Sequence, residues 1–343
     1  MEMLTARAPW YLAGPLTELL VVLLLWVSNK PLGALGGYIE LHERAIRKRF
    51  AWVTQSIRRR STRRPTRSQC GEGTRGGQFM TMPISTAQLD VHDLRGKVKH
   101  MYEAVARHPR DGHFHFEMGR ALAERLGYPA TDLDRVPAPA IESFAGVGYY
   151  FDLAALKPGE QVVDLGSGSG MDALIAALHV GATGRVVGID MTDAQREKAS
   201  GLAHAAGCAQ VEFRPGLIEE IPLGPGEADC VISNGVINLC PEKERVFAEA
   251  ARVLRPGGRL AIADIVTDLP LPANVTCNAT LWAACIGGAA QQDAYRAAIE
   301  AAGLRVVSVR ENPAYAFLSK SAQSASREYG VKSISLVAVK ETA

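Results

Sequence analysis

No two cysteines of this 343-residue chain stand in a C-x-x-C pair, and there are only six in all: Cys70, Cys208, Cys230, Cys240, Cys277 and Cys285. So sparse a set is no disulfide scaffold, and a structural zinc site has no support; no metal is expected. Free thiols in a reducing cytosol fit the count. An excess of one charge is also lacking, with 38 Lys+Arg against 36 Asp+Glu. The near balance hides an asymmetry, since residues 1–80 hold 13 Lys+Arg and 5 Asp+Glu while the remainder holds 25 against 31, a net of −6. The larger part therefore has no case for binding nucleic acid. Apolar residues are plentiful, 47% of the chain, enough to bury a sizeable core in one large or two ordinary domains.

The stretch that organises the rest is Gln161 to Asp190, which reads as strand, glycine loop, helix, strand. Val162, Val163 and Leu165 form an apolar run that stops at Gly166-Ser167-Gly168-Ser169-Gly170. From Met171 to Val180 the pattern turns helical, with Leu174, Ile175 and Leu178 on one side. Gly181 and Gly184 punctuate, and Val186, Val187 and Ile189 make a second buried strand ending in Asp190. A carboxylate at that strand tip can hold the two hydroxyls of a ribose. The third glycine of the dinucleotide fingerprint is missing, because Met171 stands in its place. Asp164, two residues before the first glycine, would repel a pyrophosphate and would welcome the ammonium and sulfonium of S-adenosylmethionine (SAM). The loop is therefore read as a SAM site rather than an NAD site.

Residues 1–45 are read as an apolar segment in which Ala8 to Val27 is long enough to span a bilayer. The basic run that follows, from Lys30 through Arg67, puts its C-terminal side in the cytoplasm by the positive-inside rule, with a tether to the inner membrane as the consequence. A cleaved signal peptide fits less well, since its charges should precede the apolar core. Trp10 to Tyr38 resembles a piece of membrane transporters for sulfur compounds and is far too short to be one. Residues 46–93 read as a basic, Gly/Arg-rich, disordered linker, with lipid-headgroup or nucleic-acid contact as its lesser use. A second reading stands beside the tether: a fusion or start-site extension ahead of a chain beginning at Met80 or Met82.

Residues 94–160 read as a helical lid, with one helical stretch from Leu94 to about Arg125 and a polar lid role for His113 and His115. Tyr128–Pro139 is a connector, and Phe144 to Tyr150 is a glycine-aromatic loop placed to close over a ligand. The domain at 161–343 continues with Thr192 as N-cap and Gln195 completing a capping box. A strand follows at Val211 and Phe213, and Gly216-Leu217-Ile218 is placed to sandwich an adenine. Further strands are expected at Ala228–Asn234, Arg259–Ile265, Arg305–Arg310 and Ser333–Val339. Helices are expected from Pro241 to the Pro256-Gly257-Gly258 stop, over Val275–Ile286 and over Gln291–Ala302. The sum is an α/β, Rossmann-like, doubly wound sheet of seven strands with its ligands at the strand carboxyl ends.

Asp164 to Gly170, Gly188-Ile-Asp-Met-Thr192, Ile232-Ser-Asn234, Val236-Ile-Asn-Leu239, Arg252 to Leu260 and Leu281-Trp282 through Ala289 resemble class I SAM methyltransferases. They are most similar to the arsenite methyltransferases, over about Leu94 to Lys340. The resemblance implies that Asp164, Gly166, Ser167, Gly168 and Gly170 hold the methionine half of SAM. Asp190 would take the ribose hydroxyls, Met191, Leu217 and Ile218 the adenine, and Asn234 the cofactor's edge. Cys285 matches the family's third arsenic-binding cysteine. Where the family places its other two cysteines, this chain has Gly235 and Val147.

Trivalent arsenic is thiophilic, and one thiolate cannot hold it firmly. Cys277 precedes Cys285 by eight residues, roughly 12 Å along a helix axis, too far to share an ion unless the helix breaks. Cys240 could approach from the fourth strand, and a thiol such as glutathione could bring the missing sulfurs. Three readings follow: methyl transfer to arsenite or a related soft, thiol-bound acceptor; methyl transfer to a small organic acceptor; and a SAM- or nucleotide-binding module without turnover.

Overall fold

The run Val162-Val163-Asp164-Leu165 offers almost no polar face, and it forms the strand with neighbours on both sides and side chains buried above and below. The computed structural model describes residues 90–109, 114, 116–276, 282 and 286–342. This strand, β1 (Gln161–Leu165), lies parallel between β2 (Arg185–Asp190) and β4 (Ala228–Asn234). β3 (Val211–Pro215) flanks β2, and β5 (Leu254–Thr267) flanks β4. Beyond β5 the sheet turns antiparallel with β8 (Lys332–Lys340), which separates β5 from β7 (Leu304–Glu311). The order is β3-β2-β1-β4-β5-β8-β7, and a two-residue β6 (Ala290–Gln291) pairs with the end of β5. The expected seven strands are the continuous path; β6 is an eighth.

Side-chain alternation divides the core into two layers. Val162, Val186, Cys230, Ile232 and Ala261 face one side, and Val163, Leu165, Val187, Val231 and Leu260 face the other. The first layer is covered by α1 (Val91–Arg107), α2 (Arg120–Leu126), α3 (Met171–Val180) and α4 (Asp193–Ala205). The second is covered by α5 (Lys243–Val253) and α6 (Gln292–Ala301). α7 (Lys320–Tyr329) precedes β8.

Several boundaries differ from the sequence expectation, each for a physical reason. The helical stretch Leu94–Arg125 is two helices, α1 and α2, and α1 begins inside the supposed linker, capped by the Asp90 carboxylate at His92 and Asp93. Gln195 completes no capping box: its side chain accepts from the Ser169 hydroxyl and donates to the Tyr102 carbonyl. Pro241 lies two residues ahead of α5, whose N-cap is Glu242. Pro256-Gly257-Gly258 lies past the end of α5 at Val253, as expected, but already within β5, which starts at Leu254 rather than Arg259. α7 was not expected, because its sequence KSAQSASREY has no apolar stripe; Ala322 is its buried anchor, and the Ser319 hydroxyl caps it at the Ala322 N–H. Of the helix expected over Val275–Ile286, Val275, Thr276, Trp282 and Ile286 are described, the first two closing a four-residue helix, Ala273–Thr276. The segment 1–45, the linker to residue 89, the His113/His115 pair, Cys277 and Cys285 lie outside the described residues. Among the described residues no helix is long and apolar enough to cross a membrane.

Candidate active site

The glycine loop departs from β1 because three positive φ angles turn the chain under the open ends of β1 and β4. Gly166 (φ +68°) has no room for a side chain, since a Cβ there would fall 2.5 Å from a Val236 methyl. Gly168 (φ +52°) has open space where its Cβ would be, so the backbone itself is presented to the cleft. Gly170 (φ +88°) starts α3. The loop is tied down by the Gly166 and Ser167 N–H groups, both donating to the Ile189 carbonyl at 2.8 and 3.0 Å. Asp190, at the tip of β2, accepts from the Gly168 N–H at 3.0 Å and the Thr192 N–H at 2.8 Å. Burial nonetheless pushes the Asp190 carboxyl up, against the pull of those two N–H groups.

Asp164 sits at the other side of the loop, 2% exposed. It accepts a bond from the Ala173 N–H, while its Oδ2 and the Ser167 hydroxyl, also buried, have no partner among the described residues. Burial, then the neighbouring Asp172 and Asp190 carboxylates, raise Asp164 well above the usual carboxylate range. Asp172, in the first turn of α3, accepts from the Tyr128 hydroxyl at 2.8 Å, the Tyr150 hydroxyl at 2.9 Å and the Asn234 amide at 3.0 Å. The other end of Asn234 accepts from the Val147 N–H at 2.7 Å. Asn234 thus clasps the loop 144–150 to the carboxylate cluster.

The cleft has two connected halves that share Tyr102, Gly166, Gly168 and Val236. One, of about 530 Å³, is lined by Asp164, Ser167, Asp172, Asn234, Phe144 and Gly146. The other, of about 710 Å³, is mostly apolar, with Met191, Leu217, Ile218, Leu239 and Cys240 around Asp190. Arg95, Val98 and Tyr102 of α1 roof it, and Arg95 donates to the buried Glu219 and, at 3.2 Å, to Glu242. Apolar Met191 and Ile218 could meet a flat heterocycle, the Asp190 carboxylate a diol and the Asp164 carboxylate a cation. The buried, unpartnered Asp164 oxygen suits the ammonium of SAM and opposes a pyrophosphate. Nine of the ten residues assigned to the cofactor from sequence line this cleft; Gly170 does not, and stands behind it as the N-cap of α3. Sequence reasoning did not assign Asp172 or Gln195 to it, and read residues 94–160 as a lid without naming Arg95, Val98, Tyr102 or Tyr128 individually. Asp172 alone carried a local signal, as a carboxylate in the first turn behind a glycine loop.

Of the cysteines, Cys240 lines the apolar half, and burial pushes its thiol up to about 12. It therefore stays protonated at neutral pH, a poor state for a soft-ion ligand. Cys230 is buried in β4, with its thiol likewise raised to about 12. Val147 and Gly235 meet: a Cβ on Gly235 would lie 3.1 Å from a Val147 methyl.

A family profile described as "Methyltransferase domain" matches residues 156–303. An arsenite methyltransferase of Halobacterium salinarum is 37% identical over 256 residues, 71% of this chain and 64% of that protein. One of Aquipseudomonas alcaligenes is 44% identical over 142 residues, 39% of this chain and 41% of the other. The chain thus spans less than two thirds of the length of these two relatives. The crystal structure of an arsenic(III) SAM methyltransferase from Chlamydomonas reinhardtii is 32% identical, with a TM-score of 0.53, over 66% of this chain and 75% of that one.

Proposed function

Because the chain belongs to the class I, SAM-dependent, arsenite methyltransferase-like family, we propose that it transfers a methyl group from SAM to trivalent arsenic held by thiols. The observation that carries the reading is the cleft in which the buried, unpartnered Asp164 carboxylate and the Asp190 carboxylate flank a glycine loop. SAM, when bound, supplies a methyl already activated on a sulfonium, so the protein mainly aligns and no general base is obligatory. Asp164 fixes the charged end and Asp190 the ribose. Asn234 and the aromatic loop it clasps shield the reacting end from water.

Arsenite is the acceptor named for the relatives and is carried to this chain as part of the proposal. Cys285 would supply one thiolate, with Cys277 as its nearest reinforcement in sequence. Cys240 stands with the adenosine half, and its protonated thiol points to packing rather than ligation. A small thiol such as glutathione would bring the remaining sulfurs. A second reading, methyl transfer to a small organic acceptor, is favoured by Val147 and Gly235 standing close together where the family resemblance implies cysteines. The test is incubation of the full chain with SAM, arsenite and glutathione, read by mass spectrometry beside Cys285→Ser. Methylated arsenic from the parent and at least about tenfold less from the variant is the expected result. SAM binding with no methylated arsenic would leave the organic acceptor. The apolar stretch 8–27 as a tether to the inner membrane is a separate proposal, resting on sequence alone.

A further inference from the structure

Lys243, the first residue of α5, is 2% exposed, a rare state for a lysine. Its Nζ donates to the Asn238 carbonyl at 3.3 Å and the Cys240 carbonyl at 2.7 Å. The same ammonium lies 4.9 Å from the centre of the Trp282 ring. On the opposite side, the Asn238 N–H donates to the Asp264 carboxylate. That carboxylate also accepts from the Tyr295 hydroxyl at 2.7 Å and the Ile265 N–H at 2.8 Å. The backbone of residue 238 is therefore gripped between a carboxylate at its N–H and an ammonium at its carbonyl.

The two ends of this grip lie in different parts of the candidate site. Val236, Leu239, Cys240 and Pro241 wall the apolar half of the cleft. Trp282 belongs to the segment that, on the functional reading above, carries the acceptor. Its described residues pack on the turn without slack: a Cβ on Gly288 would collide with the Asn238 carbonyl, and one on Gly287 with the Trp282 ring. A shift of the 236–241 wall therefore moves the carbonyls that hold Lys243, and with them the cation under the indole.

We propose that Lys243 is a positioning residue that couples the adenosine wall of the cofactor cleft to the acceptor segment through the Trp282 ring. The inference rests on the proposed function. A desolvated ammonium attracts an indole face, and a neutral amine does not. Burial lowers Lys243 to about 8 and raises Asp264 to about 6, while Cys240 stands at about 12 and Tyr295 well above its usual value. Asp264, Cys240 and the exposed Glu244 are the other charged or titratable groups that face Lys243. Between pH 7 and pH 9, roughly, Lys243 is thus the member of Lys243, Asp264, Tyr295 and Cys240 that changes charge. The coupling is present below about 8, where the ammonium persists, and is lost as pH rises through that value.

The four tryptophans are Trp10, Trp26, Trp52 and Trp282, so phenylalanine at the first three leaves Trp282 as the reporter in the full chain. The probe is S-adenosylhomocysteine, with binding followed by calorimetry and coupling by Trp282 emission. The expected result is an emission change on binding at about pH 7 that shrinks at least about fivefold at pH 9. Lys243→Met should bind the probe with no such pH-dependent emission change, and Lys243→Arg should keep the change at both pH values because a guanidinium stays charged. A methionine variant that keeps the parent's response and pH dependence would overturn the proposal. Should that variant not fold, the parent's own emission titration decides: its midpoint near 8 must move with probe bound, and an unmoved midpoint rejects the coupling. Binding without any Trp282 response sinks the coupling alone. Failure of the probe to bind sinks the functional reading along with it.

Discussion

Asp164 is buried, has an oxygen without a partner and faces two more carboxylates. In the ligand-free protein it keeps its proton at pH values where an ordinary carboxyl has lost one. An ammonium placed beside it lowers it again, so ligand binding releases a proton. Affinity for SAM should therefore rise with pH through the raised Asp164 value and level off above it. Calorimetry in two buffers of different ionisation enthalpy should show the release. Asp164→Asn should abolish it and weaken binding about 30-fold or more, the cost of removing one partner of a buried charge pair. A parent affinity indifferent to pH would remove Asp164 from the cofactor site. At this scale the sequence was highly legible, because the loop's demands are local. Gly166 must avoid Val236, and Asp190 follows its strand by sequence position alone. Asp172 was harder to read, since Tyr128 and Asn234, which bond it, stand 44 and 62 residues away.

Single elements were legible where one face is apolar and obscure where polar side chains have distant work. β4 was read at its observed ends, Ala228 and Asn234, because all but its last residue are buried. Gln195 was misread because its partners, Ser169 and Tyr102, lie on a loop and on another helix. The same limit hid what holds the α1 part of the expected lid in place. Nothing local in Arg95 announces Glu219, 124 residues on, yet their ion pair holds the helix across the mouth of the apolar half. Glu219 is 5% exposed, so removing that guanidinium takes an ion-pair partner from a buried side chain. Arg95→Ala should release α1 and speed dissociation of S-adenosylhomocysteine, with affinity falling about threefold to tenfold and losing part of its salt dependence. Stopped-flow measurements at low and high salt would check it. Unchanged dissociation would mean that α1 stays closed by Val98 and Tyr102 alone.

Across the whole molecule, alternating strand and helix signals sufficed for a doubly wound sheet with a two-strand end. They did not show that β8 enters between β5 and β7, because pairing partners far apart in sequence leave no local trace. Nor did they count β6, two residues long and paired only at the tip of β5. The tether proposed for residues 8–27 is tested on the whole chain as well. After cell breakage the full chain should sediment with membranes and resist extraction by high salt, and a chain starting at Met82 should stay in the supernatant. Equal partitioning of the two would reject the tether.

The place of β8 bears on how the chain comes to be folded at all. β7 touches the rest of the sheet only through β8, and β8 follows every other strand in chain order. During synthesis, at about 5–20 residues per second, β7 thus leaves the ribosome well before the strand that must receive it. For that interval β5 presents one open edge and the Val306 and Val309 side of β7 has no sheet to join. The nascent parallel half is complete while its antiparallel edge is still unmade, and that is the moment when a chaperone has most to cover.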